Sequence, residues 1–329
     1  MMDTRLSLAL EAGHVALPEV GDIAVFGASG QVLTGLPAER LVLICDDVIA
    51  AESYKAQGYH VQVEPPESAA LGLVFVPRGR IEGRVMFARA AALAAGKLIV
   101  DGAKTDGIDS HFKELRARGD CTAAYSKAHG KVFACDVTAE ALADWAEQGE
   151  GGENEAGFFT VPGVFSSVKA DEGSLLLAEA LPDNLGKHVA DLGAGWGYLS
   201  RAVLTRESVE ELHLVEASSA ALSCAKRNLP DVRAQFHWAD ATRWEPKFNF
   251  DTVVMNPPFH VGRKGVPELG QQFIDSAANI LKGMGKLYMV ANRHLPYEDI
   301  LRERFKFVEE IGGNTRFKLL HAAKPSRKR

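Results

Sequence analysis

The stretch Asp191-Leu192-Gly193-Ala194-Gly195-Trp196-Gly197 decides the fold class. It joins a short apolar run, Val189 to Leu192, to residues 198–206, whose apolar positions have helical spacing. A glycine turn between a strand and a helix lets a ligand approach the backbone and the helix N-terminus closely. The stretch therefore predicts an α/β unit with a ligand-binding loop after one of its strands.

Strands and helices alternate on both sides of this loop. Strands are predicted at Val189 to Leu192, Glu211 to Glu216, Gln235 to Trp238, Thr252 to Met255 and Lys286 to Val290. Helical spacing occupies the intervening residues 198–206, 218–229 and 268–282. Alternation of this kind favours a parallel, doubly wound sheet.

The first half of the chain repeats this plan. Three segments have counterparts in the second half: Gly96 to Val100 with Gly285 to Val290, Leu73 to Arg78 with Val253 to Phe259, and Phe26 to Gly30 with the glycine loop. The strand Leu41 to Asp46 likewise mirrors the one that ends at Glu216. The first half has Val76-Pro77-Arg78-Gly79 where the second has Asn256-Pro257-Pro258-Phe259, and it lacks an aspartate that matches Asp191. We therefore expect two tandem Rossmann-like domains with doubly wound sheets, the N-terminal one degenerate.

The domain boundary is predicted in the polar, glycine-rich and acidic residues 146–155, which have the composition of a linker. Residues 1–150 then form the degenerate domain and residues 151–329 the catalytic one. The sequence leaves open whether the first domain is a scaffold, an RNA platform or a folding partner.

Composition excludes several protein classes. The chain has 329 residues, of which 47% are hydrophobic and 24% charged, as in soluble globular proteins. Charged residues interrupt every apolar stretch, and the N-terminus lacks a secretion signal, so no membrane association is expected. The four cysteines form no C-x-x-C pair, which predicts reduced thiols, a cytoplasmic protein and no structural zinc. The histidine, cysteine and carboxylate spacings predict no metal site.

The charge is distributed unevenly. The net charge is −6, yet residues 260–329 hold 14 Lys and Arg against 7 Asp and Glu. A cationic C-terminal face attracts polyanions, although a solvated helix surface explains such a charge equally well. The asymmetry supports a nucleic-acid substrate only together with the chemistry of the site.

That chemistry is indicated by Asn256-Pro257-Pro258-Phe259, which follows the apolar run 251–255. Prolines have no N–H, so this turn offers carbonyl oxygens with few donors beside them. The Asn256 side chain adds another carbonyl, and Phe259 adds a flat face for stacking. The turn suits a planar group that carries an NH2. Together with the glycine loop it predicts methyl transfer from S-adenosylmethionine to a nitrogen of a base or an amide.

Acidic residues end the two strands that follow the glycine loop. Glu216 is placed to accept hydrogen bonds from both hydroxyls of a ribose, and Asp240 from an adenine amine. Tyr198 stands where dinucleotide loops have their last glycine, which weakens pyrophosphate binding more than nucleoside binding. Because ligands of open parallel sheets bind at the carboxyl ends of strands, these residues are expected to share one site.

The sequence resembles the class I S-adenosylmethionine-dependent methyltransferases of the small-domain type, and more narrowly the bacterial small-subunit ribosomal RNA guanine-N2 methyltransferases (methyltransferase C). The resemblance covers Gly163 to about His321. Its motifs are Gly163 to Ser166, Asp191 to Gly197, Asn256 to His260, Val290 to Tyr297 and Gly313 to Lys318. The resemblance implies S-adenosylmethionine as cofactor, no metal, and a ribosomal RNA or small-subunit particle as partner, with no DNA expected.

The site residues follow from the motifs and the resemblance. The reaction is expected to involve Asn256, Pro257, Pro258 and Phe259. The cofactor is expected to contact Phe165, Asp191, Gly193, Ala194, Gly195, Gly197, Glu216, Ala217, Asp240, Ala241 and Asn256. The RNA is expected to contact His260, Arg263, Lys264, Arg293 and Arg316.

The function predicted is methyl transfer to the exocyclic N2 of a guanine in ribosomal RNA, in 16S rRNA of the small subunit. Two other enzymes fit the same motifs: a large-subunit guanine-N2 methyltransferase and a protein glutamine N-methyltransferase. A non-enzymatic alternative is an RNA-binding assembly factor that retains the fold. The intact glycine loop and Asn-Pro-Pro-Phe motif argue against this last reading.

Overall fold

The computed structural model describes residues 4–258, 260–261, 264–265 and 267–326. The chain divides into two compact units. The N-terminal unit comprises Met1–Gly151 and Val161–Gly163, and the C-terminal unit comprises Gly152–Thr160 and Val164–Arg329. The assignment of the reaction to residues 151–329, and of a degenerate domain to residues 1–150, stays a prediction.

The N-terminal unit is built on one mixed sheet. Its described strands are β1 (Ile23–Phe26), β2 (Leu41–Ile44), β3 (His60–Gln62), β4 (Leu71–Phe75), β5 (Lys97–Ala103), β6 (Asp120–Cys121), β7 (Tyr125–Lys127) and β8 (Gly130–Asp136). The strand order is β3-β2-β1-β4-β5-β8-β6, and β7 also pairs with β8. The first five strands are parallel and β8 is antiparallel to β5. Strands β1 and β4 are buried at every residue, as parallel strands covered on both faces are.

Helices pack on this sheet. They are α1 (Arg5–Glu11), α2 (Val48–Ala56), α3 (Arg80–Leu93), α4 (Ile108–Arg116) and α5 (Ala143–Glu147), and short 3-10 turns lie at Ala38–Arg40, Lys104–Asp106, Glu140–Leu142 and Gln148–Glu150. Phe87 of α3 and Trp145 of α5 are buried against the strand residues Val74 and Val100. These contacts form a complete core within the N-terminal unit.

The C-terminal unit has a second sheet with two small hairpins. Its strands are β9 (Gly152–Glu153), β10 (Phe159–Thr160), β11 (His188–Leu192), β12 (Glu211–Glu216), β13 (Ala234–Trp238), β14 (Phe250–Met255), β15 (His260–Val261), β16 (Lys264–Gly265), β17 (Leu281–Asn292), β18 (Phe305–Gly313) and β19 (Phe317–Pro325). The large sheet has the order β13-β12-β11-β14-β17-β19-β18. Its first five strands are parallel, and β19 is antiparallel to both of its neighbours, β17 and β18.

Helices cover both faces of this sheet. They are α6 (Glu172–Ala180), α7 (Tyr198–Leu204), α8 (Ser219–Asn228), α9 (Pro267–Ile280) and α10 (Glu298–Arg304). Alternate strand residues point to opposite faces, so Val253 packs with α9 and α10, and Val254 packs with α6, α7 and α8. The predicted doubly wound sheet is confirmed.

The two sheets share one strand order, which confirms the predicted tandem fold. In each sheet the strand before a glycine loop pairs in parallel with the fourth strand of the order. These pairs are β1 with β4 and β11 with β14. All the sequence matches between the halves fall on equivalent strands. The antiparallel strands β18 and β19, and the helices α6 and α10, were missed because their apolar residues follow neither a clear strand nor a clear helical period.

The prediction that all four cysteines are reduced thiols is wrong. Cys121 and Cys135 face each other on the antiparallel strands β6 and β8, and their sulfurs are bonded at 2.04 Å. They are 14 residues apart, so no C-x-x-C spacing signals the pair. Cys45 and Cys224 are outside this disulfide, and both are buried. Among the described helices, none is both long and apolar enough to cross a bilayer.

Candidate active site

The glycine loop leaves the carboxyl end of β11 and enters α7. Gly193, Gly195 and Gly197 have φ values of 76°, 55° and 93°, a region that other residues rarely adopt. A Cβ at Gly197 would lie 2.8 Å from Leu229, so a larger residue there would also collide with the helix packing. These positions need glycine because of the backbone conformation.

Four N–H groups of the loop have acceptors within the fold. Those of Gly193 and Ala194 both donate to the Val215 carbonyl, at 2.8 and 3.1 Å, and that of Gly197 donates to Ala194 at 3.0 Å. The N–H of Gly195 donates to Glu216 Oε2 at 2.8 Å. Because they are occupied, these four N–H groups are not available to bind the oxygens of a phosphate.

Asp191 lies beneath the loop and is fully buried. Its Oδ2 accepts a hydrogen bond of 2.7 Å from the Ser200 hydroxyl of α7, and its Oδ1 has no partner among the described residues. Burial raises the pKa of the Asp191 carboxyl to about 7, Glu216 adds to the rise, and the Ser200 hydrogen bond opposes it. Asp191 thus orders the loop from within the protein.

Glu216 ends β12 and holds two backbone segments. Besides Gly195, it accepts a hydrogen bond of 2.9 Å from the Ser218 N–H through Oε1. The neighbouring Ala217 carbonyl accepts a hydrogen bond of 2.7 Å from the Trp238 indole.

Asp240 follows β13, beside Glu216 along the sheet edge. The Glu216 carbonyl accepts from the Ala239 N–H at 3.1 Å, which joins the two strand ends. Asp240 Oδ1 accepts from both the N–H and the hydroxyl of Thr242, at 2.8 and 2.7 Å. Ala241 is buried, and its carbonyl accepts a hydrogen bond of 2.6 Å from the Ser276 hydroxyl.

Asn256 follows β14 directly, on the other side of β11. Its Nδ2 donates to Asp171 Oδ2 at 2.9 Å and to the Ser174 hydroxyl at 2.8 Å. Its Oδ1 is buried and has no partner among the described residues. Pro257 is buried and Pro258 is exposed. An orphaned amide oxygen in a wall of the cleft is an acceptor that lacks a donor.

A cleft of about 390 Å³, including space open to solvent, brings part of the predicted site together. It is lined by Phe165, Ser166, Asp171, Ser174, Gly193, Ala194, Gly195, Trp196, Tyr198, Leu199 and Asn256. The Phe165 side chain is 66% exposed, and its carbonyl accepts a hydrogen bond of 2.8 Å from the Trp196 indole. The other predicted cofactor residues lie at or behind the neighbouring strand ends and do not line this cleft.

The residues predicted to contact RNA are divided. Phe259 and Arg263 lie outside the described residues, as do the side chains of His260 and Lys264, whose backbones form the hairpin of β15 and β16. Arg293 is occupied within the fold: it donates to the Asn314 and Phe317 carbonyls at 2.8 and 3.2 Å, and it pairs with Glu310 at 3.0 Å.

Arg316 is more accessible than Arg293. Its side chain is 70% exposed and forms an ion pair of 2.6 Å with Glu172. A role in RNA binding for Arg316 stays a prediction.

Asp171, Ser174 and Ser200 were missed by the sequence reasoning. Asp171 precedes the apolar run 175–177, which is a helix-start signal, and its side chain does accept from the Ser174 N–H. That signal predicts that Asp171 caps the helix. It does not predict the contact of Asp171 with Asn256, which is 85 residues away in the chain. Ser200 has helical spacing only, and nothing in the sequence marks its hydroxyl.

Comparison with known proteins gives three kinds of match. The family model of the methyltransferase small domain matches residues 155–321. A ribosomal RNA small subunit methyltransferase C from Shewanella halifaxensis is 32% identical over 270 residues, which cover 78% of each chain. A ribosomal RNA large subunit methyltransferase G from Shewanella putrefaciens is 29% identical over 273 residues, which cover 79% of this chain and 71% of the relative.

A solved structure matches across both units. It is the T. thermophilus 16S rRNA N2 G1207 methyltransferase in complex with AdoMet and guanosine, with a TM-score of 0.77 and 26% identity. The match covers 94% of this chain and 90% of that one. The similarity therefore extends through the N-terminal sheet as well as the sheet that carries the glycine loop.

Proposed function

The chain belongs to the family of the ribosomal RNA small subunit methyltransferases C, and on that premise we propose that it transfers a methyl group from S-adenosylmethionine to the exocyclic N2 of a guanine in 16S ribosomal RNA. The Asn256 side chain carries the proposal. Its amide nitrogen donates two hydrogen bonds, its oxygen has no donor among the described residues, and the residue lines the same cleft as the glycine loop. An exocyclic amine supplies the missing donor.

The residues present fit S-adenosylmethionine. The N–H groups of residues 193–195 donate within the fold, and a Cβ at Gly195 would enter open space, so a ligand has room to lie against the backbone. Residues 193–195, Glu216 and Asp240 would hold the donor, and the carboxylates suit its positive charge. When bound, the donor supplies a methyl group already activated on a sulfonium.

The protein then has to orient the guanine. The exocyclic N2 is a poor nucleophile because its lone pair conjugates with the ring. The Asn256 oxygen and the Pro257 carbonyl accept hydrogen bonds from its two N–H groups, which favours a lone pair directed at the methyl carbon. The N–C bond forms as the C–S bond breaks, the electron pair stays on sulfur, and the nitrogen then loses a proton to water. Because the Asn256 oxygen is covered in the structure, the amine reaches it only when the cleft opens wider.

The experiment is radiolabelled methyl transfer into naked 16S and 23S rRNA and into 30S and 50S particles, with the product nucleoside identified by mass spectrometry. We expect N2-methylguanosine in 16S rRNA, as naked RNA or within the 30S particle. Asn256→Ala should lower kcat by about a hundredfold or more while the donor Kd stays within about threefold. The control is Asn184→Ala, an exposed asparagine whose side chain accepts from the Gly186 N–H.

A second candidate is methylation of the large-subunit RNA, which the similarity to a large subunit methyltransferase G favours. Label in 23S rRNA or 50S particles alone would select this candidate. Label in protein alone, or in none of the substrates, would reject both.

A further inference from the structure

Two side chains hold the amide of Asn256 in one orientation. An amide nitrogen has two hydrogens, and here both have acceptors: Asp171 Oδ2 at 2.9 Å and Ser174 Oγ at 2.8 Å. The oxygen is left buried without a partner among the described residues. The contacts of the Asn256 nitrogen therefore determine that the oxygen of the amide is the atom available to accept from a substrate.

Asp171 decides which way the amide points. A carboxylate only accepts hydrogen bonds, so the reversed amide would set Asn256 Oδ1 against Asp171 Oδ2 at about the same distance, oxygen against oxygen. The Ser174 hydroxyl can donate or accept and would tolerate either orientation. The choice between an acceptor and a donor facing the substrate is therefore made by Asp171, and Ser174 supports it.

Asp171 is itself fixed by the fold. It is the N-cap of α6, and its Oδ2 accepts from the Ser174 N–H at 3.0 Å as well as from Asn256. The first turn of α6 is seated closely on the sheet, since a Cβ at Gly173 would lie 3.1 Å from Val290 and 3.2 Å from Phe317. One carboxyl oxygen therefore ties the start of a helix to the end of β14.

We propose that Asp171 and Ser174 are positioning residues for methyl transfer, which act through Asn256 by presenting its amide oxygen to the guanine amine. A carboxylate hydrogen-bonded to the NH2 group also polarises the amide and makes its oxygen a stronger acceptor as positive charge develops on N2. This inference rests on the proposed function, because it names what aligns the acceptor of the same reaction.

The test measures kcat, the RNA KM and the donor Kd for Asp171→Ala, Asp171→Asn, Ser174→Ala, Asn256→Ala and the double variant Asp171→Ala/Asn256→Ala. Asp171→Ala should lower kcat by about a hundredfold with the donor Kd within about threefold, as for other misaligned catalytic groups. Asp171→Asn keeps an oxygen for both hydrogen bonds and should recover to within about tenfold of the wild type. Ser174→Ala should lower kcat by about tenfold.

The double variant separates positioning from general damage. If Asp171 acts through Asn256, its removal costs nothing further once Asn256 is alanine, so the double variant should match Asn256→Ala within about twofold. Losses that multiply, or an Asp171→Ala enzyme with wild-type kcat, would overturn the inference. Asp171→Asn and Ser174→Ala keep the test valid if Asp171→Ala does not fold.

A matched control removes a helix cap elsewhere. Asp47 caps α2 in the N-terminal unit, where its side chain accepts from the Ala50 N–H at 2.8 Å. Asp47→Ala should leave kcat unchanged, and an equal fall in kcat would assign the Asp171 effect to cap loss. An inactive wild type on every RNA would reject the proposed function, whereas an active wild type with an inactive Asn256→Ala and a normal Asp171→Ala rejects only this inference.

Discussion

Replacing Asp191 by asparagine tests whether burial beneath the glycine loop raises the pKa of the Asp191 carboxyl. The pKa of this carboxyl is raised by burial from an ordinary value of 3.8 to about 7. The folded protein therefore binds the Asp191 proton more tightly than the unfolded chain does. Stability from this group is fully present below the unfolded pKa and is lost as the pH rises through about 7. The pKa difference of about 3 corresponds to roughly 4 kcal/mol at alkaline pH.

Asparagine has nearly the same shape and does not titrate, so it removes this dependence. Between about pH 5 and pH 8 the free energy of unfolding of the wild type should fall by about 3 kcal/mol relative to Asp191→Asn, because about 2 pH units of the difference lie above pH 5. Other titrating groups are common to both proteins and cancel. At about pH 5 the two proteins should have similar free energies of unfolding. The protonated acid and the amide can each place a donor at the position of Asp191 Oδ1, which has no partner among the described residues.

The assay is urea denaturation of both proteins at several pH values, followed by tryptophan fluorescence. Trp196, Trp238 and Trp244 of the four tryptophans are in the C-terminal unit, so the signal reports mainly on the sheet that contains Asp191. A difference between the two proteins that is constant within about 1 kcal/mol across this range would refute a raised pKa. So would a wild type that gains stability relative to the variant as the pH rises.

Two further substitutions probe the same unit. Glu216→Ala removes the acceptor of the Gly195 and Ser218 N–H groups and should raise the donor Kd at least about tenfold, with kcat at saturating donor little changed. Isothermal titration calorimetry measures the donor Kd, and an unchanged isotherm would remove Glu216 from the site. Glu298→Ala removes the carboxylate that pairs with the Lys318 ammonium, which is 5% exposed and also donates to the Leu295 carbonyl, and should lower the free energy of unfolding by about 3 kcal/mol. The matched variant is Asp299→Ala, whose carboxylate is 87% exposed and should cost no more than about 0.5 kcal/mol; equal losses would contradict the buried-pair argument.

The strand ends of the site could be predicted because parallel strands bring their carboxyl ends to one edge. Leu192 lies beside Val215 and Met255 in register, so Asp191, Glu216 and Asn256 necessarily come close together. Hydrophobic runs bounded by a glycine loop and by Asn-Pro-Pro-Phe were enough to locate these strands. The sequence order of the motifs then gave the site.

The side-chain contacts could not be predicted. The helix α7 covers one face of the strand β11, and the sequence does not show whether Asp191 points towards that helix or towards a ligand. In the structure Asp191 is buried against Ser200 of α7. The acceptors of Asn256 lie 85 and 82 residues away, on a helix whose docking depends on a glycine packed against β17 and β19. Hydrogen bonds of this range leave no periodic trace in the sequence.

The N-terminal unit carries different side chains at the positions equivalent to the site. Because Phe26 and Leu192 precede equivalent glycines, the registers set Val25, Cys45 and Phe75 in the places of Asp191, Glu216 and Asn256. The equivalence shifts the predicted match of Val76 with Asn256 by one residue.

The space beside the loop differs between the units as well. A Cβ at Gly27 would lie 2.1 Å from the Phe75 carbonyl oxygen, whereas one at Gly193 would meet only the Phe273 ring at 3.4 Å. The first loop thus packs backbone against backbone where the second leaves a cleft. At the positions equivalent to Asp191, Glu216 and Asn256 the first sheet thus carries apolar or neutral side chains, and the space beside its glycine is closed by the backbone of β4.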